Sequence, residues 1–125
     1  MKQQLLIVDD NNMMRSFLSH YFSKGYEVQV AGSGKEAWRW LDDGYFPDLI
    51  LLDLRMPEMS GMDFLCQLKS SVLFHDIPVI MVSSISKTAE KIECLRSGAA
   101  DYVTKPFNPK EVEARVNYHL QARRA

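Results

Sequence analysis

Short apolar runs alternate with amphipathic stretches along the whole chain, and that alternation predicts five strands and five helices. Residues 5–8 form an apolar run that stops at Asp9 and Asp10, and Asn11 and Asn12 follow as good helix-capping residues. From Met13 the apolar positions Met14, Phe17, Leu18, Tyr21 and Phe22 recur at three- and four-residue spacing, which predicts one buried helix face up to a stop at Gly25. Residues 27–31 alternate Val28 and Val30 against Gln29 and read as a second strand. Ser33 and Glu36 have capping-box spacing ahead of a stripe of Ala37, Trp38 and Leu41 that ends at Gly44; Trp40 falls off the stripe and is expected to be exposed.

The second half repeats the pattern. Residues 49–52 are continuously apolar, as a strand buried on both faces requires. Ser60 can cap a third helix carrying Met62, Leu65, Cys66 and Leu68, with Asp63 in its first turn where the helix dipole favours a negative charge. Pro78 opens a fourth strand over 79–82 that ends on Ser83 and Ser84, and a helix from about Lys87 to Ser97 stops at Gly98. A short fifth strand over 102–104 gives way to Lys105, Pro106 and Phe107. Asn108, Pro109 and Glu111 then open a last helix with Val112, Val116 and Leu120 on one face.

Strands that alternate with helices imply an α/β fold, a doubly wound parallel sheet with right-handed crossovers. Rossmann and flavodoxin-like strand orders are both compatible, and five strands in so short a chain favour the flavodoxin-like order 2-1-3-4-5. In that order the topological switch point lies between strands 1 and 3. Those strands end on Asp9 and Asp10 and on Asp53.

Strands 1, 3, 4 and 5 all end on polar groups: Asp9 and Asp10, Asp53, Ser83, and Lys105. Taken singly, each has an ordinary reading as a cap or a solvated loop residue, so the arrangement at one sheet edge carries the signal. Three carboxylates in one crevice repel and call for a cation. Hard oxygens without His or Cys suit magnesium (Mg2+), or manganese (Mn2+), better than zinc. A compact lysine charge and a rotatable hydroxyl beside them suit a phosphoryl group carried on a carboxylate, with Asp53 as the nucleophile.

Composition narrows the classes. The 125 residues fit a single domain, 1–125, with no repeat, linker or output domain expected. A formal net charge of −1 argues against direct nucleic-acid binding through phosphate neutralisation. Cys66 and Cys94 have no paired spacing and read as free thiols; no stretch has membrane-spanning length or a signal-peptide layout, so a cytoplasmic location is expected.

The acidic pair after Ile7 and Val8, the run DLRMPEMSG after the third strand, Ser83 after PVIMV, and the segment YVTKPF over 102–107 together resemble the receiver domain of two-component response regulators, along the whole chain. That resemblance implies Asp53 as phospho-acceptor, with a phosphohistidine of a sensor histidine kinase or histidine phosphotransfer protein as donor. It implies Asp10 and Asp53 as side-chain metal ligands, Asp9 acting through water, and the backbone carbonyl of Arg55 as a further ligand. Ser83 would be the switch hydroxyl, Lys105 the phosphate-pairing lysine, Tyr102 the switch aromatic, and Lys105–Pro106 a cis peptide. Such a domain is a regulatory switch rather than an enzyme, catalysing only its own phosphotransfer and slow dephosphorylation. Its output face would be helix 4, strand 5 and helix 5, where Lys91, Asp101, Glu111 and Arg115 could pair across a homodimer; a solvated charged face is the default alternative. Ser84, where a small apolar residue is commoner, and Arg55 depart from the usual pattern or fall where it varies, which leaves the phosphoryl lifetime open.

Three other readings compete. An aspartate-based phosphohydrolase would carry a second acid two residues after the nucleophile, where this chain has Arg55. A flavin carrier of this fold needs a Ser/Thr/Gly-rich phosphate loop, and Asp9 and Asp10 would repel the phosphate there. A receiver-like module that no longer accepts phosphate is separated only by a labelling assay. His20, His75 and His119 read as surface residues away from the acidic edge, and no Gly-rich loop supports self-phosphorylation from ATP.

Overall fold

The structure, a computed structural model, describes residues 2–124. The elements run β1 (Gln4–Val8), α1 (Asn12–Phe22), β2 (Glu27–Ala31), α2 (Gly34–Asp42), β3 (Leu49–Leu52), α3 (Gly61–Lys69), β4 (Val79–Ser83), α4 (Thr88–Arg96), β5 (Asp101–Thr104) and α5 (Pro109–Arg124). All strand pairs are parallel and the sheet order is β2-β1-β3-β4-β5, so this is the five-stranded flavodoxin-like arrangement. Ser83 proves to be the last residue of β4 rather than the first beyond it, and β5 begins one residue early, at Asp101.

Both faces of the sheet are covered, which explains why its strands read as unbroken apolar runs. Successive side chains alternate between two cores. Leu6, Val8, Ile50, Leu52, Val79 and Met81 pack with Ala37, Leu41, Phe64, Leu65, Leu68 and Cys94 from α2, α3 and α4. Leu5, Ile7, Leu49, Leu51, Ile80 and Val82 pack with Leu18, Phe22, Val112, Val116 and Leu120 from α1 and α5. Truncating any of these buried leucines to alanine should cost about 2–5 kcal/mol. The register sets Val8 beside Leu52 and Leu52 beside Met81, so the residues just past β1 and β3 emerge side by side.

Capping chemistry fixes where the helices start. Asn11 accepts the N–H of Met14 at 2.9 Å, while Asn12 is already helical. Ser60 and Asp63 form a full capping box. At α2 Ser33 accepts the Glu36 N–H at 3.1 Å, but the Glu36 carboxylate takes the N–H of Gly32 at 2.8 Å, so the box closes one residue upstream. α4 opens on Lys87 with no side-chain cap.

Three side chains depart from the sequence pattern. Phe17 is 46% exposed while Leu18 and Phe22 are buried, so α1 buries a narrower arc than its apolar stripe. On α3, Cys66 is exposed and Phe64 is buried, because the inward face follows 61, 64, 65 and 68. Trp40 is half-buried rather than exposed: its indole N–H donates to the Val30 carbonyl at 3.2 Å and its ring packs on Tyr45. Among the described residues no helix is long and apolar enough to cross a membrane.

Candidate functional site at the carboxyl ends of the strands

Asp53 leaves β3 with its N–H still donating to the Val8 carbonyl at 2.9 Å, so the sheet ladder itself holds the residue beside Asp9. The loop that follows folds back tightly. Met59 N–H donates to the Pro57 carbonyl at 2.8 Å, with Glu58 between them in the left-handed region at φ 68°. The N–H of Gly61 then closes on the Leu54 carbonyl at 2.8 Å. A Cβ at Gly61 would lie 2.1 Å from the Asp53 carbonyl oxygen and 2.7 Å from the Leu54 Cα, so only glycine lets α3 start this close to the acid.

Asp9 is almost fully enclosed. One carboxylate oxygen accepts the Asn11 N–H at 2.9 Å, the other accepts Lys105 Nζ at 2.8 Å, and the Arg15 guanidinium donates to its backbone carbonyl at 2.7 Å. Asp10 is exposed. One carboxylate oxygen from each of Asp9, Asp10 and Asp53 lies within 4.8 Å of the others. Lys105 Nζ also reaches Asp53 at 3.7 Å, and its backbone N–H donates to the Ser83 carbonyl at 2.7 Å, which ties the loop after β5 to the end of β4. The Lys105–Pro106 peptide is cis.

Ser83 is fully buried and its hydroxyl accepts the Ile85 N–H at 3.2 Å. The Tyr102 hydroxyl donates to the Ile85 carbonyl at 2.5 Å, so Ser83 and Tyr102 meet at one short segment after β4, and Lys91 Nζ stands 5.8 Å above the tyrosine ring. Burial raises the Tyr102 pKa, against the Ser83 hydroxyl, which lowers it. The Arg55 side chain is exposed, while its N–H approaches the Asp53 carboxylate at 3.4 Å.

The Asp53 carboxyl is pushed above the ordinary carboxylate range, by burial first and by the Asp9 charge second. Lys105 and the Arg55 N–H pull it down, and Asp10 adds a further push upward. Three carboxylates share the one ammonium of Lys105 among the side-chain pairs described, so the cluster is short of positive charge even with Lys105 in place. Three hard oxygen donors with no nitrogen or sulfur among them fit magnesium, so the residues present match the metal that the sequence pattern implies.

Two residues at the site gave no signal beforehand. Arg15 clamps the Asp9 carbonyl from one turn into α1, and nothing in its surroundings in the sequence marks it as more than a polar helix residue. Gly61 was visible only as a loop glycine, its contact with the Asp53 carbonyl appearing once α3 is docked. At the expected output face, Arg115 bonds both Asp101 oxygens at 2.9 Å and Glu111 at 3.3 Å, so three of the four charges considered for pairing across a dimer pair within this chain. His119, expected on the surface, is half-buried and bonded to Asp101 at 3.0 Å.

The response regulator receiver domain family matches residues 5–117. Chemotaxis protein CheY1 of Helicobacter pylori is 36% identical over 119 residues, covering 94% of this chain and 96% of that protein. The protein named "Probable transcriptional regulator ycf27" of Cyanophora paradoxa is 40% identical over 121 residues, which span 96% of this chain and 49% of that protein. Among solved structures, the CheY-like receiver domain protein from Methanospirillum hungatei superposes with a TM-score of 0.91 at 26% identity, covering 99% of this chain and 98% of its own.

Proposed function

This chain belongs to the response regulator receiver domain family, and on that premise we propose that it is a phosphorylation-dependent signalling switch whose acceptor is Asp53. The observation that carries the reading is the Asp53 carboxylate itself, desolvated, pushed above its ordinary range, and faced by Lys105 at 3.7 Å. Such a group gains from acquiring a phosphoryl group that neighbouring cations can pair.

A phosphohistidine of a sensor histidine kinase or histidine phosphotransfer protein is the donor. An Asp53 oxygen attacks phosphorus, the N–P bond breaks as the O–P bond forms, and the released imidazole nitrogen takes up a proton. Transfer of this kind needs positioning and charge neutralisation more than covalent work from the protein. Lys105 exchanges its bond to Asp9 for one to a phosphoryl oxygen, and Ser83 turns its hydroxyl to donate to another. Asp10, Asp53 and the Arg55 carbonyl, with Asp9 through water, would hold the Mg2+ that neutralises the crowded charge when bound; Mn2+ shares the same hard-oxygen chemistry. Because the Tyr102 hydroxyl is bonded to Ile85, two residues past Ser83, drawing Ser83 toward the phosphoryl group pulls on the tyrosine and so on the α4–β5–α5 face. Return to the resting state is by slow hydrolysis at the same site.

The free cysteines Cys66 and Cys94 accord with a reducing cytoplasm. Incubating the chain with a purified phosphohistidine domain and Mg2+ should move the phosphoryl group to the wild type and not to Asp53→Asn; equal transfer to both would remove Asp53 from the acceptor role. A homodimer through α4–β5–α5 requires the Arg115–Asp101 pair to exchange partners. Sedimentation with a beryllofluoride phosphate mimic should then show a doubled mass, and an unchanged monomer would reject the dimer.

A further inference from the structure

α3 and α4 lie side by side on one face of the sheet, each running back between parallel strands, so the two helices point the same way. Two contacts show which residues of α3 look toward α4. Met62 shares a cleft of about 240 Å3 with Glu90 and Glu93 of α4. At the other end of α3 the Lys69 side chain lies where a Cβ on Gly98, just past α4, would come within 2.9 Å of it. Met62, Cys66 and Lys69 follow one another at four- and three-residue steps, which sets them in one row along the helix. Cys66 is therefore the middle of the row that faces α4. On α4, Cys94 stands midway between Glu90 and Gly98, so the two contacts bracket both cysteines and the thiols share one level of the α3–α4 seam.

The two thiols differ in access. Cys66 is exposed, whereas Cys94 is fully buried and is the one buried residue of α4. That helix has no side-chain cap, and its large apolar residues Ile92 and Leu95 are 42% and 47% exposed. An element anchored by one small side chain opens at low cost, which lets the buried thiol come out. Burial first, then the charges of Glu93, Cys66 and Glu90, push the Cys94 thiol up, so Cys94 rests as a thiol while Cys66 is the sulfur that a reagent in solvent reaches. We propose that Cys66 and Cys94 form a reversible disulfide under peroxide, a redox clamp that fixes α4 against α3.

The Cys66 sulfur attacks one oxygen of hydrogen peroxide, the O–O bond breaks and water leaves, which gives a sulfenic acid. Opening of α4 brings the Cys94 sulfur onto the sulfenyl sulfur. The S–S bond forms as the S–O bond breaks, and the hydroxyl departs as water with the Cys94 proton. Two thiols have then lost two electrons and two protons, and the peroxide has become two waters. Reduction by a dithiol restores the thiols, as suits a transient redox-sensing bond in a reducing compartment. A disulfide holds its Cα atoms about 4.4–6.8 Å apart, so the bridge fixes the two helices at one spacing. Formation of the bond is independent of the phosphoryl-switch reading. Its consequence rests on that reading, because α4 belongs to the face that the switch shifts.

The wild-type chain is treated with hydrogen peroxide, its remaining thiols are alkylated, and its peptides are mapped without reduction. One peptide pair joined through Cys66 and Cys94 is expected, lost on adding dithiothreitol and absent from Cys66→Ser. The urea midpoint should rise on oxidation of the wild type and fall back on reduction. Cys66→Ser keeps every methionine and should show no such rise, which separates the bridge from methionine oxidation. Cys94→Ala keeps a small apolar residue at the buried position and should stop Cys66 at the sulfenic acid, trapped by dimedone. With Mg2+ present, the bridged chain should bind beryllofluoride about fivefold or more weakly than the reduced chain, a coupling of ordinary size. A Cys66–Cys66 dimer, or Cys66 oxidised further while Cys94 still alkylates, would overturn the bridge. Equal beryllofluoride affinity in the bridged and reduced chains would overturn the clamp, whereas failure of the reduced wild type to bind beryllofluoride at all would instead count against the phosphoryl switch.

Discussion

Replacing Lys105 with methionine removes the ammonium that pairs with both the Asp9 and the Asp53 carboxylates and keeps most of the side-chain volume. Lys105 Nζ lies 2.8 Å from an Asp9 oxygen and 3.7 Å from an Asp53 oxygen, with the three side chains 16%, 3% and 10% exposed. At an effective dielectric of about 20 the gross attractions are about 6 and about 4.5 kcal/mol. Desolvating the ammonium costs several kcal/mol in the other direction, and breaking a buried pair by removing one partner nets about 3–5 kcal/mol of destabilisation. Urea unfolding in a chelating buffer at neutral pH should show a loss of that size. The pH dependence follows from Asp53. Lys105 is what chiefly holds its raised pKa down, so the mutant raises it further. A carboxyl whose pKa is higher folded than unfolded contributes stability below its unfolded pKa and loses it as pH rises through the folded value. The deficit of Lys105→Met should therefore be largest at neutral pH and shrink on acidification, and Mg2+ should restore more stability to the mutant than to the wild type. A mutant within about 0.5 kcal/mol of wild type in chelator at neutral pH, inside the range of an ordinary surface substitution, would refute the claim that the cluster is short of positive charge.

Three further substitutions probe neighbouring parts of the account. By the same sign argument Asp53→Asn should stabilise the fold at neutral pH, with the gain in urea midpoint vanishing as pH falls through the raised pKa of Asp53; a destabilised mutant at neutral pH would contradict it. Ser83→Ala should still accept phosphate but signal weakly, because inverting a 1:99 equilibrium takes about 5.5 kcal/mol and a hydrogen bond to a charged group supplies about 1.5–3 of it; a phosphorylated mutant with wild-type partner affinity would sink that role. Gly61→Ala drives a Cβ into the Asp53 carbonyl and should cost about 1–3 kcal/mol while weakening Mg2+ binding, measured by urea midpoint and metal titration. Unchanged metal affinity there would mean that the start of α3 does not set the position of Asp53.

The strands were legible because a sheet covered on both faces demands apolar residues at every position, and residues 5–8 and 49–52 meet that demand without interruption. The sheet order then brought Asp9, Asp10 and Asp53 to one crevice, and the polar residues ending β4 and β5 to the same edge. Helix faces were less legible, since apolar residues also occupy half-exposed positions. Phe17 continues the stripe of α1 but lies past the arc that α5 and the sheet can cover, and Cys66 sits one position off the inward row of α3. Trp40 lies off the stripe of α2 yet is half-buried for a reason no local pattern carries, an edge-strand carbonyl at Val30 within reach of its indole. Partner choice among charges was the least legible feature. Lys105 rests on Asp9 as well as facing Asp53, and Asp101 is taken by Arg115 and His119 of the same chain, pairings set by docked elements far apart in sequence.

The most direct test of the central claim is to treat the wild-type chain with acetyl phosphate and Mg2+ and to locate the added phosphoryl group by peptide mass mapping. The account predicts one acid-stable, base-labile phosphoryl group on the peptide that contains Asp53, absent from Asp53→Asn and lost when Mg2+ is chelated beforehand. A phosphoryl group on any other residue, or labelling that proceeds equally in the chelator, would contradict it.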